Sequence, residues 1–79
     1  MYRIVGKFYD EEINREATDA NYAIGVFIAQ VQRGMQYTDS YTSSDAIDEA
    51  IDLSRDVYTD YLPHYHELNS DMWLELRKE

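Results

Sequence analysis

Hydrophobic positions along the chain follow two periods. From Tyr2 to Tyr9 they alternate, with Tyr2, Ile4, Gly6 and Phe8 on one side and Arg3, Val5, Lys7 and Tyr9 on the other. That pattern predicts a half-buried strand, ended by Asp10-Glu11-Glu12. The period lengthens between Thr42 and Leu62. Advancing each residue by ~100° gathers Ala46, Ile47, Ala50, Ile51, Leu53, Val57, Tyr58, Tyr61 and Leu62 into one arc of about 180°. The same rotation puts Asp45, Asp48, Glu49, Asp52, Asp56 and Asp60 in an opposite arc of about 120°. One amphipathic helix over 42–62 is predicted. Thr42, Ser43 or Ser44 can cap it, and Pro63 stops it.

Residues 11–34 support two readings. As a helix, Ile13, Ala17, Ala20, Ala23, Ile24, Phe27, Ile28 and Val31 share one face, with Asp10 as N-cap and Arg33-Gly34 at the end. As a strand, 22–32 is rich in β-formers, Gly25 sits badly in a helix, and Arg33-Gly34 becomes a hairpin turn. The helix is preferred, because its phase holds back to Ile13 and three in-phase alanines are poor strand residues. Met35 to Thr42 alternates Met/Tyr against Gln/Thr/Ser and predicts a strand. His64 to Ser70 is read as a connector. Asp71 to Arg77 predicts a last strand with Met72, Leu74 and Leu76 inward. The fold class is α+β: a single small domain over 1–79, with a short, mainly antiparallel sheet and one or two helices packed on one face. The strand reading of 11–34 would give β-β-β-α-β instead.

Seventy-nine residues lie near the lower end for a self-sufficient core. A hydrophobic content of 44% still favours a globular domain over disorder. The chain has no cysteine, which excludes disulfides, thiolate metal sites and a Cys nucleophile. No apolar run approaches the ~18 residues of a membrane span, and Met1-Tyr2-Arg3-Ile4-Val5 shows no signal-peptide pattern. A cytoplasmic location and no membrane association are expected.

Charge changes the picture most. Seven basic residues face sixteen acidic ones, for a net charge of −9. Such a field repels nucleic acid and attracts basic surfaces. The acids of the 42–62 helix recur every three or four residues, about 5–6 Å apart, which approaches the charge repeat of a nucleic-acid strand. Like charges at this spacing repel by a few tenths of a kcal/mol per pair. A helix made only for solubility would mix Glu with Lys. Asp45, Asp48, Glu49, Asp52, Asp56 and Asp60 are therefore the candidate partner-binding row. Asp10, Glu11, Glu12, Glu16 and Asp19 form a second acidic group. Were the two contiguous, the case for a nucleic-acid mimic would strengthen. Trp73, opposite in parity to Met72 and Leu74, is a candidate interface aromatic.

Enzymatic motifs are missing. No Gly-rich phosphate loop, nucleophile elbow or calcium loop occurs. Acids splayed along a convex helix do not converge on a metal ion. His64 and His66 point the same way in an extended segment, and Asp60 or Glu67 is a conceivable further ligand. Exposed or capping histidines remain the default, and no metal or other cofactor is expected. The expectation is a non-enzymatic protein whose partner is a basic nucleic-acid-binding protein or complex. The alternative is a small homo-oligomeric or accessory module, using its sheet face and Trp73, whose acidity only confers solubility.

Two resemblances accompany this reading. Short, acidic, cysteine-free and Tyr-rich, the chain resembles small phage-encoded inhibitors, including DNA-mimic anti-restriction and anti-CRISPR proteins. The likeness is one of size and charge, without an aligned motif, and it implies inhibition of a nucleic-acid-handling complex in a bacterial host cell. The Ser-Ser-Asp-Ala-Ile-Asp-Glu-Ala-Ile helix after a Tyr/Thr strand is also similar to the HicB-type antitoxin arrangement. The Pro-Gly-Cys feature of that group is missing here, so none of its residues is carried over.

Overall fold

A computed structural model describes residues 1–79. In chain order the elements are β1 (Tyr2–Phe8), β2 (Glu11–Ala17), α1 (Ala20–Met35), α2 (Ser43–Tyr58), β3 (His64–Asn69) and β4 (Met72–Lys78). The strands form one antiparallel sheet in the order β2-β1-β4-β3. Both helices pack on one face of it, so the domain is α+β as expected. α1 lies over β1 and β2, and α2 lies over β3.

The core sits between the layers. Ile4, Phe8, Ile13 and Ala17 rise from β1 and β2 to meet Ala23, Phe27 and Val31 of α1. Leu53 and Val57 of α2, with Leu68, Met72, Leu74 and Leu76, complete it. Met72, Leu74 and Leu76 are each fully buried, as their alternation predicts. Two glycines permit close approach. A Cβ on Gly6 would collide with the carbonyl oxygen of Trp73 on the neighbouring strand, and one on Gly34 would lie 2.7 Å from Leu68 Cδ2 and 3.0 Å from Phe8 Cζ.

The structure corrects the middle of the chain. Residues 11–17 are a strand, not the first turns of a helix. Ile13 and Ala17 are four apart, a spacing that fits one face of a helix and one face of a strand equally. Phe8 pairs with Glu11, so Tyr9-Asp10 is a two-residue hairpin turn rather than a strand end and a helix cap. Tyr9 takes φ 56° there, a left-handed conformation usually left to Gly or Asn. Its N–H donates to the Asp71 carbonyl at 2.9 Å, and its ring meets Tyr37 edge-on at 6.4 Å. These contacts hold a turn in which Asp10 is an ordinary turn residue and Tyr9 is not. Arg15 shares the inward parity of Ile13 and Ala17 yet stays exposed, a charge that discourages pairing at the β2 edge.

The helical reading holds from residue 20 onward, and the β-hairpin reading of 22–32 with 35–42 is overturned. Asp19, not Asp10, is the N-cap, and its carboxylate accepts from the Tyr22 N–H at 2.8 Å. Met35 closes α1, and no strand follows; residues 36–42 are turn and loop. The 42–62 helix is present but shorter. Thr42 and Asp45 form a reciprocal capping box at its start. At its end the Thr59 hydroxyl donates to the Arg55 carbonyl at 2.7 Å, and Asp60 turns left-handed at φ 57°. The exit therefore precedes Pro63 by several residues. The predicted connector 64–70 is mostly the edge strand β3, paired with β4 from His64–Leu76 to Asn69–Met72.

Candidate functional site

α2 and β3 are joined by polar side chains. His64 and His66 share the inward parity of Leu68 and face α2. His64 sits between two carboxylates: Nδ1 lies 2.6 Å from Asp56 Oδ2, and Nε2 contacts Glu49 Oε1. The other oxygen of Glu49 contacts His66 Nδ1. His66 Nε2 lies 2.6 Å from the Tyr41 hydroxyl. Phe27 and Tyr41 meet the rings of His64 and His66 edge-on at 5.6 and 5.5 Å. Glu49 and His64 are buried, and no buried side-chain nitrogen or oxygen is left without a partner.

This geometry fixes protonation. An ionised carboxylate only accepts hydrogen bonds, so a ring with both nitrogens on carboxylates must donate from both, as imidazolium. Burial works against that charge on His64, but hydrogen bonds to Glu49 and Asp56 outweigh it and hold the ring above its ordinary 6.5. Burial likewise opposes the charge on Glu49, and hydrogen bonds from His64 and His66 overcome it, holding the carboxyl below its ordinary 4.5. Burial, with the charges of Glu49 and Asp45, pushes the Tyr41 hydroxyl up to about 12.

The network sets the rotation of α2. Glu49, Leu53 and Val57 form the buried row, so the helix turns its acidic edge toward β3. Glu49 was expected on the exposed arc and is instead 6% exposed. In compensation Ile47, Ile51 and Tyr58, read as part of the buried arc, stay outside at 62%, 61% and 64%.

The remaining acids fall into separate settings. Asp45 accepts from the Thr42 backbone N–H at 2.8 Å and from its hydroxyl, which lowers its pKa. Asp48 is exposed, and Asp52 pairs with Arg55 at 3.1 Å. Asp60 lies beyond the helix, 3.3 Å from Lys78. The second acidic group belongs to the β1–β2 hairpin and the cap of α1, at the opposite sheet edge from β3. There Glu16 pairs with Arg3 at 2.6 Å and Glu11 with Arg33 at 2.9 Å. The two groups are not contiguous. Trp73 is on the open sheet face, stacked on Tyr65 at 5.8 Å, away from the acid row.

What the structure does bring together is a pocket of about 450 Å³ at the free edge of β3. Asp45, Asp48 and Asp52 line its α2 side, and Ser40, Glu67 and Leu68 line it opposite. Tyr41, Glu49 and His66 also contribute to its wall. No lysine or arginine is among the lining residues. The acids thus border a concavity instead of splaying along a convex ridge. No three of the His, Asp and Glu side chains are placed to share one metal ion. The sequence carried a signal for this site. Glu49 is in phase with Leu53 and Val57, and His64 and His66 are in phase with Leu68. Tyr41, from a loop, carried none. Comparison with protein-family models, curated proteins and solved structures gives no match.

Proposed function

We propose that this protein is a non-enzymatic binding protein whose α2–β3 side receives a basic, nucleic-acid-binding surface of another protein in place of nucleic acid. The pocket bordered by Asp45, Asp48 and Asp52 carries the reading. It is concave and anionic, with no lysine or arginine in its lining, and it is wide enough for a lysine or arginine head. Charge-assisted hydrogen bonds between such heads and carboxylates are about twice as strong as neutral ones. The net charge of −9 would speed encounter with a basic partner. The claim is narrower than a six-acid row, because Glu49 and Asp56 are committed to His64, Asp60 is paired with Lys78 beyond the helix, and Asp52 exchanges its exposed pairing with Arg55 for the partner.

The test is a pull-down at low and high salt, with duplex DNA as competitor. A nucleic-acid-binding protein should be retained at low salt and released by salt or DNA. Asp48→Lys with Asp52→Lys should abolish retention while Glu49 and Asp56 keep the fold. Retention indifferent to salt and to this double change would refute the reading. A second reading, an interaction module whose acidity serves solubility, is favoured by the exposed Ile47, Ile51 and Tyr58 and by the Tyr65–Trp73 stack.

A further inference from the structure

We propose that the outer face of the helix layer is a two-fold interface with a second copy of this chain. Packing Glu49 inward leaves Ile47, Ile51 and Tyr58 more than 60% exposed along one side of α2. Beside them, α1 presents Asn21, Tyr22, Gly25, Ala29 and Gln32 to solvent. Its centre is uncharged in a chain that is 29% charged, with Asp48 and Arg55 along one margin. Loss of charge with retained aromatic and aliphatic surface is the composition of an interface centre. Gly25 adds to this. A Cβ there would meet nothing within 4 Å, so the fold of one copy does not require glycine. A glycine inside a helix costs about 1 kcal/mol relative to alanine, and it suits close approach by another backbone.

The face is complementary to itself. Between the end of α1 and the start of α2 lies a pocket of about 420 Å³, walled by Gln32, Met35, Gln36, Ser43, Ala46 and Ile47. Tyr58 follows Ile51 by seven residues and Ser44 precedes it by seven, about 10 Å along the axis in each direction. Two α2 helices crossing antiparallel about Ile51 therefore bring each Tyr58, whose hydroxyl donates to Asn21 of its own α1, beside Ser43 and Ile47 at the rim of the other copy's pocket. The same operation sets Arg55, four residues after Ile51, against Asp48, three before it, and does so twice. Knob meets pocket and cation meets anion under one two-fold rotation, the condition for an isologous dimer. The domain measures 31 × 26 × 17 Å between Cα extremes. Its broad face can supply the roughly 800 Å² per partner of a standard interface. Asp48 borders both this contact and the acidic pocket at β3, so Ile51→Glu, which lies outside the pocket lining, is the change that separates the dimer from the partner-binding reading.

Sedimentation of the full chain at micromolar concentration tests the proposal. The expected mass is twice 9.4 kDa. Ile51→Glu should weaken the dimer at least about tenfold while leaving the far-UV circular dichroism of a folded chain. Arg55→Glu should weaken it less, and adding Asp48→Arg should restore it. Because the chain has no cysteine, Ile51→Cys gives an independent readout. Ile51 lies on the two-fold axis, so mild oxidation should link two copies rapidly. A 9.4 kDa species throughout the micromolar range, or a dimer that survives Ile51→Glu, overturns the proposal. So does faster linking through Trp73→Cys on the open sheet face than through Ile51→Cys.

Discussion

α1 and α2 are each sixteen residues long and lie on the same sheet, yet they are attached in different ways. α1 sits on β1 and β2 through hydrocarbon: Ala23, Phe27 and Val31 against Ile4, Phe8, Ile13 and Ala17. Such contact is non-directional and indifferent to pH. α2 keeps Leu53 and Val57 in the core but reaches β3 through Glu49 and Asp56, which hold His64 and His66. That seam is directional and needs particular charges. The comparison shows how a small domain orients a helix. Hydrophobic burial alone would have turned Ile47 and Ile51 inward; the ionic seam turns α2 away from that solution.

The largest expected effect lies on the hydrocarbon side. Phe27→Ala should cost about 3–5 kcal/mol in urea unfolding, by the same amount across neutral pH. Its ring meets His64 edge-on and otherwise belongs to the hydrophobic core. The corresponding blow to the other side is Glu49→Ala, which strands two histidines in a buried setting. Breaking a buried pair costs about 3 kcal/mol or more, and here the loss should depend on pH. The His64 pKa is raised on folding, so its stabilisation is complete below the ordinary 6.5 and is lost as pH climbs through the folded value. The Glu49 pKa is lowered, so its contribution is complete above the ordinary 4.5 and is lost as pH falls through the folded value. Wild-type stability should therefore peak between pH 4.5 and 6.5, measured as Tm against pH, and the peak should flatten in Glu49→Ala. A wild-type profile without that peak would dissolve the distinction between the two seams.

Gly34→Ala probes where the seams meet, because its Cβ would press on Phe8 of β1 and Leu68 of β3. Overpacking there should cost about 1–3 kcal/mol. The smallest effect is Thr42→Ala, which removes one half of the α2 capping box. About 1 kcal/mol should be lost, and the pH profile should keep its shape because the ionic seam remains.

Legibility in the sequence followed the same division. Where side chains work by hydrophobicity alone, the pattern sufficed: Ile4 and Phe8 on β1, Leu74 and Leu76 on β4, and the phase of α1 from Ala20 to Val31. It failed where one spacing serves two periods, as with Ile13 and Ala17, and where a turn is held by distant contacts, as at Tyr9. In the candidate site, Asp45, Asp48 and Asp52 were placed together correctly on one helix face. Glu49 was misassigned because a carboxylate in an apolar phase reads as solvated unless its partners are known. Those partners, His64 and His66, lay in a segment read as a connector, and the hydroxyl of Tyr41 comes from a loop without a pattern.

The strand order has a kinetic consequence. β1 pairs with β4 through residues as far apart as Tyr2 and Lys78, so the central seam of the sheet closes a loop of nearly the whole chain. The hairpins β1–β2 and β3–β4 and the pair of helices are each local and can form early. Joining them must wait for the long-range seam, whose entropic cost precedes its reward. Until β4 arrives, Ile4 and Phe8 have their hairpin and α1 but no second neighbour in the sheet. Folding rate should thus respond to changes at the β1–β4 seam, such as Leu74→Ala, more than to changes of equal cost at the α2–β3 seam.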